Sequence, residues 1–315
     1  MKKNVAIVFP GQGSQVVGMG KDLFEKFSSA KEVFNEVDEI LGYKLSQIMF
    51  TGPSDELTKT QNTQPALMAV SMALIRVLEK NFAKKFSDLC SYTAGHSLGE
   101  YSALCASNAL SLKDTAHLLQ IRGQAMAKCA ENTKGTMSAI LGVEIDVAKQ
   151  IVEEASQGEV CQIANDNSVG QIVISGSFDA VNRANEIAKT KGAKRAILLP
   201  VSGAFHSKLM SQAQDVMQQA LLKTKFSNPQ VPLIANVSAQ VVEDYNQIIE
   251  LLTQQITGSV RWRETMLKFE SLGIETVIEI GSGKVLSGLV ARTCPSLKTL
   301  SIQNSEDLDN FLKNN

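Results

Sequence analysis

The chain has very little histidine. Three residues, His96, His117 and His206, stand in 315, so a reaction that needs an imidazole base has only three places to find one. Cysteine is nearly as sparse: Cys90, Cys105, Cys129, Cys161 and Cys294 are scattered without a C-x-x-C pair or His/Cys ligand spacing. That pattern excludes a disulfide framework and a zinc ribbon, and no metal is expected. No apolar run reaches the roughly 18 residues of a membrane helix. The N-terminal VAIVF run breaks at Pro10, too soon for a secretory core. A cytoplasmic protein with no membrane partner is expected, which makes the formal Asn236-Val-Ser sequon irrelevant. Neither sign of charge is in excess, since 31 Lys and Arg face 32 Asp and Glu for a net charge of −1. That balance provides no polycationic surface for nucleic acid.

What is present is a serine between two glycines. Residues 91–105 read SYTAGHSLGEYSALC, with Gly95 and Gly99 each two positions from Ser97, where a strand-like pattern gives way to a helical one. This G-x-S-x-G spacing is the signature of a nucleophile on a sharp strand-to-helix turn. The flanking backbones must approach so closely that only glycine escapes a Cβ clash. Ser97 is then expected to project its hydroxyl above a sheet. The Leu98 N–H would face a developing oxyanion at a helix start. Alone, the motif also describes a glycine turn carrying a solvated serine.

A nucleophilic serine needs a base. His96 adjoins Ser97, where elbow geometry directs its ring elsewhere, and His117 lies inside the helical pattern LKDTAHLLQIRGQAMAKC, where a structural role is the default. His206 follows a strand-like run at 196–199 and the loop PVSGAF, and it precedes an amphipathic run. It is the candidate base and acid, with a structural role as the alternative; a helix start beside it would keep the ring neutral. Glu100 suits the first turn of the elbow helix electrostatically and reads as structural. Arg122, read alone, is either an arginine on a solvated helix face or a guanidinium able to receive a carboxylate through paired hydrogen bonds.

At 315 residues the chain exceeds the usual size of one core, and two unequal domains are expected. VAIVF reads as a buried strand, followed by the glycine-rich GQGSQVVGMG and helices to about Leu41. Gly11 and Gly13 lack the frame of a dinucleotide loop. A helix is predicted over 63–80, capped by Thr63 with Pro65 in its first turn. Another is predicted over 112–130, with Ser111 and Asp114 in capping-box spacing. Residues 135–199 read β-α-β-β-α-β, a small ferredoxin-like domain. It interrupts a larger α/β-hydrolase-like domain with a parallel sheet formed by 1–134 and 200–315, the site lying in the groove between them. After His206 come a long helix, the strand VPLIANV, helices toward Ile256 and over 262–272, and the strand TVIEI. GSGKVLSGL lacks full phosphate-loop spacing, leaving Lys284 as a candidate for a cofactor or carrier phosphate.

Six segments, in order, carry a resemblance: AIVFPGQGSQVVGMG, TQPALMA, AGHSLGEYSAL, IRGQAM, SGAFHS and EIGSGKVLSGL. Together they resemble the malonyl-CoA:acyl-carrier-protein transacylases, the acyl-transferase family of fatty acid and polyketide synthesis, and they span nearly the whole chain. The resemblance implies ping-pong exchange between malonyl-CoA and the phosphopantetheine thiol of acyl carrier protein, with no permanently bound cofactor. It implies Ser97 as nucleophile and His206 as base and acid. The main-chain carbonyl of Gln255 would orient the histidine, and the N–H groups of Gln12 and Leu98 would form the oxyanion hole. Arg122 would bind the malonyl carboxylate. Phe205 agrees with malonyl over bulkier branched donors, whereas Ala204 replaces a proline frequent in that segment. Asn165 matches a pocket position beside the histidine, its alternative being a turn asparagine that ends a strand. The basic cluster KTKGAKR at 189–195 reads as a solvated helix end, or as a dock for the acidic carrier through Lys191, Lys194 and Arg195.

Three readings follow. Malonyl transfer in fatty acid synthesis uses every matched position, and a dedicated polyketide role is its nearest variant. A serine thioesterase or esterase shares Ser97 and His206 but has no need of Arg122. A non-catalytic carrier-binding scaffold leaves the site unexplained.

Overall fold

The computed structural model describes residues 4–313. Among the described residues ten strands form two sheets: β1 (Val5–Phe9), β2 (Tyr92–Gly95), β3 (Gly135–Leu141), β4 (Cys161–Ser168), β5 (Gln171–Ser177), β6 (Arg195–Leu198), β7 (Leu233–Ile234), β8 (Val241–Val242), β9 (Thr276–Ile280) and β10 (Lys298–Ile302). The larger sheet runs β10-β9-β1-β2-β7-β8. Its pairings are parallel from β10 through β7, and only β8 is antiparallel. The expected parallel sheet therefore carries one antiparallel edge. The stretch predicted as one long strand at 231–237 contributes only Leu233 and Ile234, because the chain folds back on itself as the β7–β8 pair.

Burial on both faces explains the unbroken apolar run of β1. Ile7 and Phe9 join a core with the helices Ser28–Leu41, Thr60–Phe82 and Leu112–Asn132. The alternate residues Ala6 and Val8 join a second core with Trp262, Met266 and Phe269 of the helix Trp262–Ser271 and Leu289 of the helix Val285–Thr293. Side chains alternate across a strand, so a central strand covered by helices must be apolar at every position.

The smaller sheet runs β4-β5-β3-β6 and is antiparallel throughout. With the helices Ile145–Ser156 and Phe178–Thr190 following β3 and β5, this is the ferredoxin-like arrangement. Ile140, Ile151, Ile174 and Val181 anchor its separate core. The molecule is a large α/β core with a small ferredoxin-like insert, as expected. Among the described residues no helix is long and apolar enough to cross a membrane.

Two local expectations are corrected, and two elements are added. The helix predicted from Thr63 begins at Thr60, and Thr63 Oγ1 donates to the Leu57 carbonyl at 2.6 Å instead of capping. Pro65 consequently lies inside the helix. His206 has φ 57° and stands before Ser207, which caps the short 3-10 turn Lys208–Met210; the long helix starts only at Ser211. Beyond β9, β10 and the helix Ser305–Lys313 complete the edge of the large sheet, elements not recognised from sequence. The capping pair is found as expected, with the Asp114 N–H donating to Ser111 Oγ at 3.0 Å.

Candidate active site

β2 ends at Gly95 between β1 and β7, and the chain turns through His96, Ser97 and Leu98 into the helix Gly99–Ala106. A Cβ on Gly95 would lie 1.9 Å from the Gly99 carbonyl, and one on Gly99 would lie 2.3 Å from the Phe9 oxygen. Both glycines are sterically required. Ser97 itself has φ 53°, the strained conformation of a nucleophile elbow. Asn236 braces the turn from both sides. Its Oδ1 accepts from the Ser97 N–H at 2.8 Å, and its Nδ2 donates to the Gly95 carbonyl at 2.7 Å. The asparagine of the formal sequon is thus a buried strap.

His206 completes the pair. Its Nε2 lies 2.8 Å from Ser97 Oγ, and its Nδ1 lies 2.9 Å from the Gln255 carbonyl. A carbonyl can only accept, so Nδ1 carries the proton and Nε2 is free to accept from the serine hydroxyl. Burial, followed by the nearby Arg122 charge, pushes the imidazole down to about 3. Neutrality therefore comes from desolvation and a neighbouring cation, not from the helix start predicted for it.

Arg122 does not lie on a solvated face. It is 1 % exposed, on the inner side of the helix Leu112–Asn132. The adjacent Gly123 allows that helix to press against the neighbouring one, since a Cβ there would stand 2.5 Å from Gln61 Cα. Nη1 of Arg122 donates to Gln64 Oε1 at 2.7 Å, and Nη2 donates to Ser97 Oγ at 3.0 Å and Gln255 Oε1 at 2.8 Å. Nε has no partner among the described residues. Nor does Arg122 form an ion pair among them. A buried guanidinium with neutral partners and a spare donor is costly unless an anion arrives.

Glu100 approaches from behind. It occupies the first turn of the elbow helix, yet its carboxylate is buried and accepts from Gln255 Nε2 at 2.6 Å. Burial raises it to about 7, opposed by the bonds from Gln255 and the Asn236 N–H. Gln255 Nε2 also donates to the Ser97 carbonyl at 3.0 Å. Its side chain, like Gln64 and Asn236, belongs to the site and was not singled out from the sequence. The only available signal was a polar residue inside an apolar periodic run, as at Gln64.

Ser97, His206 and Arg122 open on one cavity of about 120 Å³. Gln12, Leu98, Asn165 and Phe205 line it, together with Met126, Met137, Leu199 and Val201. Asn165 lies within β4 beside a register shift, not at a strand end. His96 also borders the cavity, but its Nε2 pairs with Asn167 Oδ1 at 2.8 Å and its ring packs on Trp262. His117 is exposed on its helix. Ligand clefts commonly run to about 300 Å³ or more, so this cavity suits a small acyl group. A wider groove of about 1060 Å³ between the helix Phe178–Thr190 and β6 holds none of the candidate catalytic residues.

Lys284 is exposed beside the glycine-rich loop, whose Ser14 carbonyl accepts from Ser282 Oγ at 2.7 Å. The following helix start is already occupied. Glu279 accepts from the Leu286 N–H at 3.1 Å and the Ser287 N–H at 2.8 Å, so those donors are not open to a phosphate.

Residues 6–308 match the model of the acyl transferase domain family. Among characterised relatives, the malonyl CoA-acyl carrier protein transacylase of Bacillus subtilis is 45% identical over 306 residues, covering 97% of this chain and 95% of that protein. The crystal structure of acyl-carrier-protein-S-malonyltransferase from Bartonella henselae superposes with a TM-score of 0.95 at 51% identity, covering 98% of each chain. A malonyl-transacylase solved in complex with a type II PKS acyl-carrier protein superposes with a TM-score of 0.95 at 38% identity, covering 99% of this chain and 100% of that one.

Proposed function

Because this chain belongs to the acyl transferase family, among its malonyl-CoA:acyl-carrier-protein transacylases, we propose that Ser97, His206 and Arg122 carry malonyl transfer to the carrier thiol. Ser97 Oγ passes its proton to His206 Nε2 and attacks the malonyl thioester carbon. The tetrahedral oxyanion is received by the main-chain N–H groups of Leu98 and Gln12. Collapse breaks the C–S bond, and the CoA sulfur leaves with the proton from His206. In the second half, the phosphopantetheine thiol gives its proton to His206 and its sulfur attacks the malonyl-serine ester. Ser97 recovers the proton as its ester bond breaks. Every atom is supplied by the two substrates, and no permanent cofactor takes part.

The observation that carries this reading is the buried Arg122, without an ion pair among the described residues, within 3.0 Å of Ser97 Oγ. A malonyl group brings a carboxylate to this guanidinium; an acetyl group does not. The base also favours a thiol over water as acceptor. A carbonyl orients His206 and Arg122 lowers its basicity. A thiol with an ordinary value of about 8.5 gives up its proton to such a base far more readily than water at about 15.7. This argues against the esterase reading, and the complete site argues against a silent scaffold. Residues 1–134 and 200–315 form the catalytic unit in this reading, with 135–199 as the insert. Gln255 orients the base, Asn165 and Phe205 shape the pocket, and the enzyme acts in cytoplasmic fatty acid synthesis.

Intact-protein mass after brief exposure to malonyl-CoA or acetyl-CoA tests the reading, with Ser97→Ala as the blank. A malonyl adduct absent from the blank and faint with acetyl-CoA is expected. Free CoA accumulating without an adduct would instead mark a hydrolase.

A further inference from the structure

The contacts of Gln162 extend the site into the ferredoxin-like insert. Gln162 lies on β4, the edge strand that faces the large core. Its strand is fixed there by main-chain bonds: the Val260 N–H donates to the Ala164 carbonyl at 2.8 Å, and the Asp166 N–H donates to the Val260 carbonyl at 2.9 Å. Arg263 adds an ion pair to buried Asp166, with Nη2 to Oδ2 at 2.8 Å. From this anchored position the Gln162 amide reaches two segments that meet at the base. Its Nε2 donates to the Thr257 carbonyl at 3.0 Å and, at the long limit of 3.4 Å, to the His206 carbonyl. Its Oε1 accepts from the Lys208 N–H at 3.0 Å.

These contacts enclose the bond that sets the base. His206 Nδ1 meets the carbonyl of Gln255, two residues before Thr257, and His206 itself sits at φ 57°. A non-glycine residue in that conformation persists only where its surroundings over-determine it. A planar amide that ties the peptides after His206 to the peptide at Thr257 supplies that constraint with three hydrogen bonds. We propose that Gln162 is a positioning residue for the reaction, through which the inserted domain holds the His206 ring against the Gln255 carbonyl in the Nδ1–H tautomer. The proposal rests on the reading of His206 as the base. Gln162 is not among the residues lining the cavity, so its effect falls on the rate of acylation and not on malonyl-CoA binding.

The test compares Gln162→Ala and Gln162→Glu by rapid-quench measurement of malonyl-serine formation and by 15N NMR of the histidine rings. The glutamate variant keeps the acceptor for the Lys208 N–H but loses the donor to both carbonyls. Removing the clamp is expected to slow acylation by about tenfold to a hundredfold, the scale of a misplaced catalytic group. The KM for malonyl-CoA stays unchanged, and the His206 resonances shift from the Nδ1–H tautomer toward a mixture. The glutamate variant, whose carboxylate oxygen would face the Thr257 carbonyl at the place of the lost donor, is expected to lose at least as much as Gln162→Ala. Should the alanine variant fail to fold, the near-isosteric glutamate variant decides. Wild-type acylation with unaltered His206 resonances, or a loss confined to KM, overturns the proposal. His206→Ala runs alongside: retained acylation there would defeat the base assignment itself, while the NMR comparison would still report whether Gln162 holds the ring.

Discussion

Gln255 accepts a hydrogen bond from Arg122 on its side-chain Oε1 at 2.8 Å, while its main-chain carbonyl accepts one from His206 Nδ1 at 2.9 Å. One residue therefore joins the proposed base to the proposed carboxylate-binding cation, and its two contacts are chemically separable. Gln255→Ala keeps the carbonyl and removes the amide. A hydrogen bond to a charged group contributes about 1.5–3 kcal/mol, so malonyl-CoA kcat/KM is expected to fall by about tenfold or more. Acetyl-CoA turnover should fall less. Steady-state kinetics with both donors check this, and equal losses would mean that the side chain serves the base instead.

Arg122→Ala removes the proposed carboxylate receiver, the one guanidinium among the described residues that line the cavity. Truncating one partner of a desolvated charged pair costs about 2–5 kcal/mol. The malonyl-CoA kcat/KM should drop accordingly while the weak acetyl-CoA reaction changes little. Arg122→Lys is expected to recover only part of the loss, because an ammonium cannot reproduce three bonds fanned from one planar fork. Equal damage to both donors would defeat the clamp assignment.

The parts of the site legible in the sequence are local or scarce. Gly95, Ser97 and Gly99 sit within five residues, and the clash that demands Gly95 is with the Gly99 backbone itself, although Gly99 is in turn pressed by the distant Phe9 carbonyl. His206 stood out because only three histidines exist. Arg122 and the Gln255 carbonyl came from resemblance, since an arginine on a helix carries no local mark of burial. What stayed hidden depends on distant partners. Asn236 is 139 residues from the Ser97 N–H it accepts, Gln64 is 58 from Arg122, and Gln162 is 44 from His206. Thr63 misled for a nearer reason, because the helix has already begun at Thr60. Its hydroxyl donates to the Leu57 carbonyl six residues back, where a residue inside the helix has no cap to make.

Two buried groups separate the pH dependence of rate from that of stability. His206 is depressed from 6.5 to about 3, so the base is neutral throughout the working range. The kcat/KM for acylation, which reports the free enzyme, is expected to show no limb near 6.5 from this residue. Glu100 is raised from 4.5 to about 7. Its stabilising contribution is complete below 4.5 and is lost as pH rises through 7. The His206 contribution has the opposite sign, being present above 6.5 and lost as pH falls toward 3. Thermal unfolding across pH 4.5–7 should show Glu100→Gln gaining relative to wild type as pH rises. Parallel curves would mean that Glu100 does not titrate in this window.

The basic cluster at the end of the helix Phe178–Thr190 divides on inspection of its partners. Lys189 pairs with Glu186 and Lys191 with Glu154, at 2.7 and 3.1 Å, whereas Lys194 and Arg195 have exposed side chains without an ion pair among those described. An acidic carrier would meet the latter two. Rim charges act on encounter rate more than on the bound state, and salt screens them. Lys194→Gln with Arg195→Gln should therefore slow transfer to the carrier at low ionic strength, leave malonyl-serine formation on the enzyme intact, and converge on wild type as salt is raised. Adding Lys191→Gln should change little further. Stopped-flow transfer rates over a salt series decide it, and an unchanged low-salt rate would remove this surface as the docking site.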